Sequence, residues 1–294
     1  MHRPFHAGLR LLRPHQWAKN ALAVLPAALA HRLGEPAVLA DTALAVVALS
    51  LCASGTYVVN DWLDRDRDRR HPTKRNRPLA SGAISPGTGL VIAVVLVAGA
   101  FGLAAATLPP AFSAVLVVYV VTTLAYSFRL KAVAVLDVLV LAGLYALRVV
   151  AGGEASGTPV SEWLLAFSLF FFLALALLKR YTELRQMETG AAPADNGRGY
   201  EAEDAAIVRG IGPACGLLAV LVLALYATSP AVRVLYSRPE LLWLITPALL
   251  YWTMRMWLLA HRGQMPDDPV LFAVKDPVSY VVVALVAAVL AVAS

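Results

Sequence analysis

Four carboxylates stand among seven basic residues in the segment 60–82, which follows a long apolar run. Asp61, Asp64 and Asp68 are spaced i, i+3 and i+7, so on a helix they lie within about 60° of one another. Asn60 lies one turn before Asp64. Three convergent carboxylates with an amide suit Mg²⁺, which keeps several waters and is shared with substrate phosphates. The segment therefore predicts a magnesium-dependent diphosphate site, with Mn²⁺ as an alternative metal.

A charged helix end, balanced by neighbouring arginines, would explain part of this pattern without any metal. A lone DxxxD pattern is common and weakly specific. The full spacing N-D-x-x-D-x-x-x-D directly after an apolar run is more specific and favours the metal site. Lys74, Arg75 and Arg77 follow as candidates for binding the donor phosphates, although basic residues also mark the cytoplasmic side of membrane proteins.

The elements that position these residues must lie in a membrane, because 59% of the 294 residues are hydrophobic and only 15% are charged. A bilayer core needs about 20 apolar residues per helix. We therefore predict an all-α integral membrane protein with one polytopic domain spanning 1–294. Its first apolar segment is interpreted as a membrane helix and not as a secretory signal, since Pro26 interrupts it. Nine spans are predicted: 17–33, 37–59, 88–107, 111–128, 133–151, 161–178, 210–228, 240–258 and 277–293.

The basic residues predict the orientation of these spans. With the N-terminus inside, 21 of the 25 Lys and Arg residues fall on the inner side. The positive-inside rule then predicts a multi-pass protein of the cell membrane with a cytoplasmic N-terminus, an external C-terminus and an active site on the cytoplasmic side. This distribution explains the net charge of +6 without a nucleic-acid partner, and a homo-oligomer is compatible with the sequence.

Charged residues in and beside the later spans are further candidates. Asp137 and Arg148 lie within the fifth span, where charge usually serves function or a buried ion pair. They are separated by about 16 Å of helix rise and need not pair with each other. Lys179, Arg180 and Glu183 follow the sixth span and are candidates for holding a phosphate, with juxtamembrane anchoring as the alternative.

The acidic signature resembles that of the UbiA-type membrane transferases, which are helical bundles of about nine helices carrying it at the end of the second helix. The stretch from Tyr126 to Lys131, Tyr-Ser-Phe-Arg-Leu-Lys, resembles a family stretch after the fourth span, and it adds Tyr126 and Lys131 to the substrate-binding candidates. Typical members carry a second Asp-rich motif after the sixth span. Here residues 177–184 read LLKRYTEL, with two cations and one carboxylate. The resemblance therefore implies a site that accepts an additional phosphate or holds fewer metals.

That departure, with several local stretches, resembles the polyprenyl-phosphate phosphoribosyltransferase branch. The resemblance implies 5-phosphoribosyl diphosphate as donor, a polyprenyl phosphate such as decaprenyl phosphate as acceptor, and release of pyrophosphate. In actinobacteria the product feeds arabinan synthesis for the cell wall. The same resemblance implies that Lys19 binds a phosphate of the substrates. The stretches are RPHQWAKN at 13–20, HPTKR at 71–75, LRVVAG at 147–152, and DDPV at 267–270 with Phe272-Ala273.

Two other functions compete with this interpretation. An ordinary UbiA prenyltransferase, moving a prenyl group from a diphosphate to an aromatic or quinone precursor, shares the first motif, but the second Asp-rich motif is missing. A membrane transporter would suit the intramembrane Asp137 and Arg148, yet the sequence has no visible inverted repeat or paired broken helices.

Overall fold

The computed structural model describes residues 3–70, 73–190, 197–230, 232–266 and 268–294, and every regular element in these ranges is helical. His71, Pro72 and Asp267, which belong to stretches quoted above, lie outside the described residues. Short 3₁₀ segments occupy Pro14–Val24, Lys74–Asn76, Leu130–Ala132, Ala202–Asp204 and Pro239–Leu244. The α-helices are α1 (Arg3–Leu12), α2 (Leu25–Leu29), α3 (Pro36–Leu63), α4 (Arg65–Arg70), α5 (Pro86–Thr107), α6 (Pro110–Phe128), α7 (Leu136–Ser156), α8 (Glu162–Glu188), α9 (Ala205–Thr228), α10 (Val232–Leu235), α11 (Ile245–His261), α12 (Pro269–Ala273) and α13 (Pro277–Ala293).

Six helical segments in the described ranges are long and apolar enough to cross a membrane: α3, α5, α6, α7, α8 and the segment Ala202–Thr228 that contains α9. The other three predicted spans differ in form. The predicted span 17–33 is a 3₁₀ segment followed by the five-residue α2. The span 240–258 combines Pro239–Leu244 with α11, and 277–293 corresponds to the 17-residue α13. The count of nine spans is therefore not confirmed and stays a prediction.

Starts of the long helices follow from local chemistry. α5 begins after Ser85, whose hydroxyl accepts a hydrogen bond from the Thr88 amide at 3.1 Å. α8 begins after Ser161, which accepts from the Leu164 amide at 3.2 Å. α3 has Pro36 at its first position, where proline's missing amide leaves no helical bond unmade.

The chain divides into two compact units, Met1–Val133 with Leu147–Val160, and Ala134–Ala146 with Ser161–Ser294. α7 contributes its first half to the second unit and its second half to the first. That 1–294 forms one transferase domain stays a prediction.

In the first unit, glycine lets helices approach closely. α3 packs against α5 at Gly55, where an added Cβ would lie 2.7 Å from the Val97 side chain and 2.9 Å from the Ala93 carbonyl oxygen. The second half of α7 meets the segment Pro14–Val24 at Gly152, where an added Cβ would lie 1.9 Å from the carbonyl oxygen of Ala23. Small residues at such contacts are typical of helices packed in membranes.

In the second unit, α8 packs along α9, and α9 packs against α11. Gly212 of α9 receives the indole of Trp257, and Gly216 receives the side chain of Thr253. α11 is tied to the start of α13 by a two-pronged ion pair, in which Arg255 donates to both carboxylate oxygens of Asp276 at 2.8 and 2.9 Å. Asp276 also caps α13 by accepting from the Ser279 amide.

Candidate active site

The acidic cluster lies in the first unit, at the junction of α3 and α4. Backbone hydrogen bonds run from the Asp64 amide to the Asn60 carbonyl (2.9 Å) and from the Asp68 amide to the Asp64 carbonyl (2.8 Å). The helical hydrogen-bond pattern therefore continues across the junction, and the predicted spacing of Asp61, Asp64 and Asp68 is kept. Asp61 and Asp68 are 2% and 4% exposed. Ionised carboxylates this deeply buried need cationic partners.

Two arginines supply those partners. One guanidinium nitrogen of Arg77, Nη1, donates to Oδ1 of Asp61 at 3.0 Å and to Oδ2 of Asp68 at 2.7 Å. This shared contact shows that two of the predicted ligand carboxylates converge on one cation. Arg13, the residue directly after α1, donates from its Nη2 to the same Oδ1 of Asp61 at 2.5 Å. Its guanidinium also lies 5.5 Å from the ring centre of Tyr57.

Lys131 supplies the cation at the other carboxylate. Its Nζ lies 2.8 and 2.9 Å from the two oxygens of Asp64 and 3.3 Å from Oδ1 of Asn60. The amide and the carboxylate that the sequence paired one turn apart thus share one cation. Arg67 lies farther from Asp64, at 3.5 Å, and its side chain is half exposed.

Burial dominates the ionisation of Asp68. Removal from water raises the pKa of the Asp68 carboxyl, and the nearby charges of Asp61 and Asp64 add to the rise, while the ion pair with Arg77 opposes it. A carboxyl whose pKa is raised despite an arginine at 2.7 Å is held in its charged form at a cost in free energy. Such a group gains most from a further cation.

The side chains of the acidic cluster are of the types that bind a hard divalent metal ion. Three carboxylates and an amide oxygen are the donors Mg²⁺ prefers, and protein cations already stand between them in its place. Within the described part of the chain, no group of three or more His, Cys, Asp or Glu side chains is arranged to enclose an ion. A metal bound by all three carboxylates would take the place of Arg13, Arg77 and Lys131 there.

Three other predicted residues of the first unit lie near the surface or are partly buried. Lys74 is half-buried and Arg75 exposed on the segment Lys74–Asn76, and Tyr126 is half-buried near the end of α6. Asn76 belongs to the same short segment, and its carbonyl accepts a hydrogen bond from Arg10 of α1 at 2.9 Å.

Arg148 and Lys19 lie in a buried polar group farther along α7. Arg148 is 4% exposed and donates from Nε to Oδ1 of Asn20 (2.9 Å) and from Nη2 to the hydroxyl of Tyr119 (2.8 Å). Asn20 in turn donates to the hydroxyl of Ser50 at 3.0 Å. Lys19, beside Asn20 in sequence, is 8% exposed. These contacts place a fully buried guanidinium among neutral hydrogen-bonding side chains.

The second unit holds a separate cluster around Arg180. Arg180 and Asp137 are both fully buried and form an ion pair through Nη2 of the arginine, while Nη1 of Arg180 pairs with Glu183. Arg198 approaches the same Glu183 carboxylate at 3.6 Å. Asp137 lies in the first turn of α7, whereas Arg180 and Glu183 lie three positions apart on one face of α8. The sequence left open whether Asp137 serves function or an ion pair; the structure shows the ion pair with Arg180.

Tyr200 completes this cluster. Its hydroxyl donates to Oδ1 of Asp137 at 2.7 Å and accepts from the Val135 amide at 2.8 Å, and its ring lies 5.3 Å from the Arg180 guanidinium. Burial raises the pKa of Tyr200, and its hydrogen bond to Asp137 raises it further, so the phenol stays protonated and remains a donor. Nε of Arg180 has no hydrogen-bond partner among the described residues. Lys179 is half-buried next to it.

Several residues of these clusters were not predicted as site residues. Arg13 lies 48 positions from Asp61, and Tyr200 lies 63 positions from Asp137. Arg13 does begin the stretch 13–20 that carries part of the family resemblance, and this was the available signal. Tyr200 and Arg198 lie in a loop, where no periodicity indicates which side chains turn inward.

The UbiA prenyltransferase family model matches residues 21–275. The chain belongs to the UbiA prenyltransferase family. This UbiA protein is 38% identical over 285 residues to the uncharacterized protein y4nM of Sinorhizobium fredii, covering 97% of this chain and 55% of y4nM. It is 37% identical over 281 residues to nodulation protein NoeC of Azorhizobium caulinodans, covering 95% of this chain and 90% of NoeC.

A third relative is named for an enzymatic activity. The decaprenyl-phosphate phosphoribosyltransferase of Mycobacterium tuberculosis is 43% identical over 191 residues, covering 63% of this chain and 62% of that enzyme. The matches thus span less than two thirds of y4nM and of the mycobacterial enzyme. They confirm the resemblance to the UbiA transferases and to their phosphoribosyltransferase branch.

Solved structures confirm the fold. The structure of a UbiA homolog from Archaeoglobus fulgidus bound to GPP and Mg²⁺ has a TM-score of 0.71 at 19% sequence identity, covering 97% of this chain and 99% of that protein. The predicted all-α, multi-pass membrane protein with the UbiA fold is therefore confirmed.

Proposed function

We propose that this UbiA protein transfers the 5-phosphoribosyl group from 5-phosphoribosyl diphosphate to a polyprenyl phosphate and releases pyrophosphate. The observation that carries the proposal is the 43% identity over 191 residues to decaprenyl-phosphate phosphoribosyltransferase. NoeC matches over more of the chain, and its name specifies no reaction, so the acceptor is inferred from the phosphoribosyltransferase relatives. A role of the product in arabinan synthesis for the cell wall is part of the same proposal.

The acidic cluster is the proposed diphosphate site. Asp61, Asp64 and Asp68, with Asn60, would hold Mg²⁺, and the bound metal would neutralise charge on the departing pyrophosphate. Arg77 and Lys131 already lie within hydrogen-bonding distance of these carboxylates and carry the donors that phosphate oxygens accept. The Archaeoglobus structure with Mg²⁺ and a prenyl diphosphate supports a divalent metal at this fold's site.

The proposed reaction requires no strong general base. An ionised oxygen of the acceptor phosphate attacks the anomeric carbon of the ribose, and the bond from that carbon to the diphosphate oxygen breaks, with its electron pair leaving on pyrophosphate. The protein's contribution is to hold donor and acceptor in line and to offset the charge that develops. Direct in-line attack inverts the anomeric centre, and a product that keeps the donor configuration would exclude a single displacement.

Further cations are proposed to bind phosphate groups of the substrates. Lys19 and Arg148 are candidates in the first unit, and Lys179 with Arg180 and Glu183 in the second. Because Arg180 is locked in a buried ion pair, replacing it would disturb the fold as well as any ligand. Lys179→Ala tests the proposal more cleanly, since Lys179 is only half-buried. Donor affinity that stays unchanged in Lys179→Ala would remove Lys179 from the site.

The orientation remains part of the proposal. The excess of basic residues between alternate predicted spans supports a cytoplasmic location for the acidic cluster and its arginines. There the site would meet a water-soluble donor such as 5-phosphoribosyl diphosphate and the headgroup of a lipid acceptor. Cysteine labelling of engineered thiols at the two termini in intact cells would test this orientation.

The deciding experiment uses the purified protein in detergent with radiolabelled 5-phosphoribosyl diphosphate, decaprenyl phosphate and Mg²⁺. A labelled, lipid-extractable product that disappears with EDTA supports the proposed transfer. The matched variants are Asp64→Asn, which should abolish product, and Asp66→Asn, whose exposed carboxylate pairs with Arg65 and Arg69 within the described part of the chain. Asp66→Asn should retain activity.

Prenyl transfer from a prenyl diphosphate to an aromatic acceptor is the second candidate function. The family model that matches 21–275 is named for it. The same preparation, given a prenyl diphosphate and an aromatic acid, discriminates the two. Activity only in that second assay would replace the phosphoribosyl proposal.

A further inference from the structure

We propose that Arg13 is an exchangeable counterion of the metal site. It neutralises Asp61 while no metal is bound, and it turns to the substrate diphosphate once a metal takes that carboxylate. The inference rests on the proposed metal and diphosphate site, and adds to it a residue and a coupling between the two ligands.

The contacts at Asp61 are the first observation. One oxygen of this carboxylate, Oδ1, accepts hydrogen bonds from both Arg13 (2.5 Å) and Arg77 (3.0 Å). Arg77 is also bound to Asp68, so it keeps a carboxylate partner until a metal takes Asp68 as well. Within the described part of the chain, Asp61 is the one carboxylate paired with Arg13. Arg13 therefore loses its carboxylate partner as soon as a metal takes Asp61, whereas Arg77 and Lys131 lose theirs only when the metal also takes Asp68 and Asp64.

The backbone at Arg13 is the second observation. Arg13 has φ 51° and ψ 56°, the left-handed conformation that side-chain-bearing residues rarely adopt, and it stands directly before Pro14. A helical conformation before proline is disfavoured by the proline ring. Such strain persists where surrounding contacts hold it, and it often marks a functional site. Here the conformation brings the guanidinium onto Asp61 and beside Tyr57.

The charge balance is the third observation. Three carboxylates of the cluster are matched by three cations within 3.0 Å: Arg13, Arg77 and Lys131. A divalent metal added to this balanced group leaves two positive charges in excess, and a diphosphate supplies the negative charge that offsets them. Metal and diphosphate should therefore strengthen each other's binding. In the absence of diphosphate, Arg13 should oppose metal binding both by repulsion and by occupying Asp61.

The test measures Mn²⁺ binding to the full-length protein in detergent by electron paramagnetic resonance of free Mn²⁺, with and without inorganic pyrophosphate. Arg13→Gln should bind Mn²⁺ alone about tenfold more tightly than the natural protein, and the gain on adding pyrophosphate should shrink by a similar factor. Arg10→Gln is the matched control, since Arg10 lies three positions before Arg13, near the end of α1, and among the described residues its side chain donates to the Asn76 carbonyl and not to the acidic cluster. It should behave like the natural protein.

Unchanged or weaker Mn²⁺ binding by folded Arg13→Gln would overturn the proposal. Should that variant fail to fold, Arg13→Lys keeps the charge and should stay within about threefold of the natural protein; a tenfold gain there would also overturn it. Mn²⁺ binding that survives Asp64→Asn with Asp68→Asn would instead refute the metal site itself. Normal metal dependence without any effect of Arg13 would remove only the exchange and leave the proposed function standing.

Discussion

Removing Arg180 should destabilise the protein far more than neutralising its partner Asp137. Both side chains are fully buried, but their remaining contacts differ. In Arg180→Met, Asp137 would keep, among the described residues, the neutral Tyr200 hydroxyl at 2.7 Å and no cation. In Asp137→Asn, Arg180 would keep its ion pair with Glu183 and a neutral amide acceptor in place of the carboxylate.

The expected magnitudes follow from these contacts. Leaving a buried carboxylate without its cation costs about 3–5 kcal/mol. Replacing the carboxylate by an amide that still accepts a hydrogen bond costs about 1–2 kcal/mol. The double variant Asp137→Asn with Arg180→Met removes both charges, so it should lose about 2 kcal/mol less than the sum of the single variants.

Equilibrium unfolding of the purified protein measures these values. The protein in mild detergent micelles is titrated with sodium dodecyl sulfate, and helix content is followed by circular dichroism. Arg185→Met is the matched control on the same α8 helix, because Arg185 is 40% exposed and pairs with the partly exposed Glu188. Its free energy of unfolding should stay within about 0.5 kcal/mol of the natural protein.

Two results would refute this reasoning. Equal losses in Asp137→Asn and Arg180→Met would mean that Glu183 does not compensate Arg180. Strictly additive losses in the double variant would mean that the two buried charges do not interact.

Three further predictions address other parts of the structure. Because burial raises the pKa of the Asp68 carboxyl, the metal-free protein loses stability as pH rises through that pKa and the carboxyl ionises. Asp68→Asn should therefore raise the thermal midpoint in EDTA at neutral pH while abolishing transfer. The gain in midpoint should fade as pH falls and the natural carboxyl takes up its proton. An unchanged or lowered midpoint would contradict the dominance of burial. Gly152→Ala should destabilise by about 3 kcal/mol or more, since its methyl would lie 1.9 Å from the Ala23 carbonyl oxygen, whereas Gly143→Ala on the same helix meets open space and should be neutral or slightly stabilising in the same titration. Tyr200→Phe should cost about 1–3 kcal/mol, because it strips one hydrogen bond from Asp137 and orphans the Val135 amide; a loss no larger than that of Tyr251→Phe, an exposed position, would contradict the role assigned to its hydroxyl.

The acidic cluster was predictable because its order is local. Spacing along one helix determines which side chains share a face, and the hydrogen bonds across the α3–α4 junction preserve that spacing. The membrane class was predictable for the same kind of reason, since apolar runs of span length leave few alternatives to helices in lipid.

The partners of that cluster could not be predicted in the same way. Asp64 pairs with Lys131, which lies 67 positions away in sequence, and Asp137 pairs with Arg180, which lies 43 positions away. Nothing in a local pattern selects one basic residue among many at such distances. The form of the first predicted span could not be predicted for another reason. Its composition is apolar enough for a helix, but the chain folds there as a 3₁₀ segment followed by a short helix with Pro26 in its first turn. Whether 17–33 spans the membrane stays a prediction.

The length of α3 has a consequence for where the acidic cluster meets its substrates. Its 28 residues rise about 42 Å, roughly 12 Å more than the hydrocarbon thickness of a bilayer. If Pro36 begins at one edge of the hydrocarbon, the last two turns, which carry Asn60 and Asp61, stand at the height of the lipid headgroups. A phosphate on a lipid acceptor already sits at that height. In the proposed reaction, the polyprenyl chain would stay among the acyl tails while its phosphate and the water-soluble donor meet at the height of the headgroups.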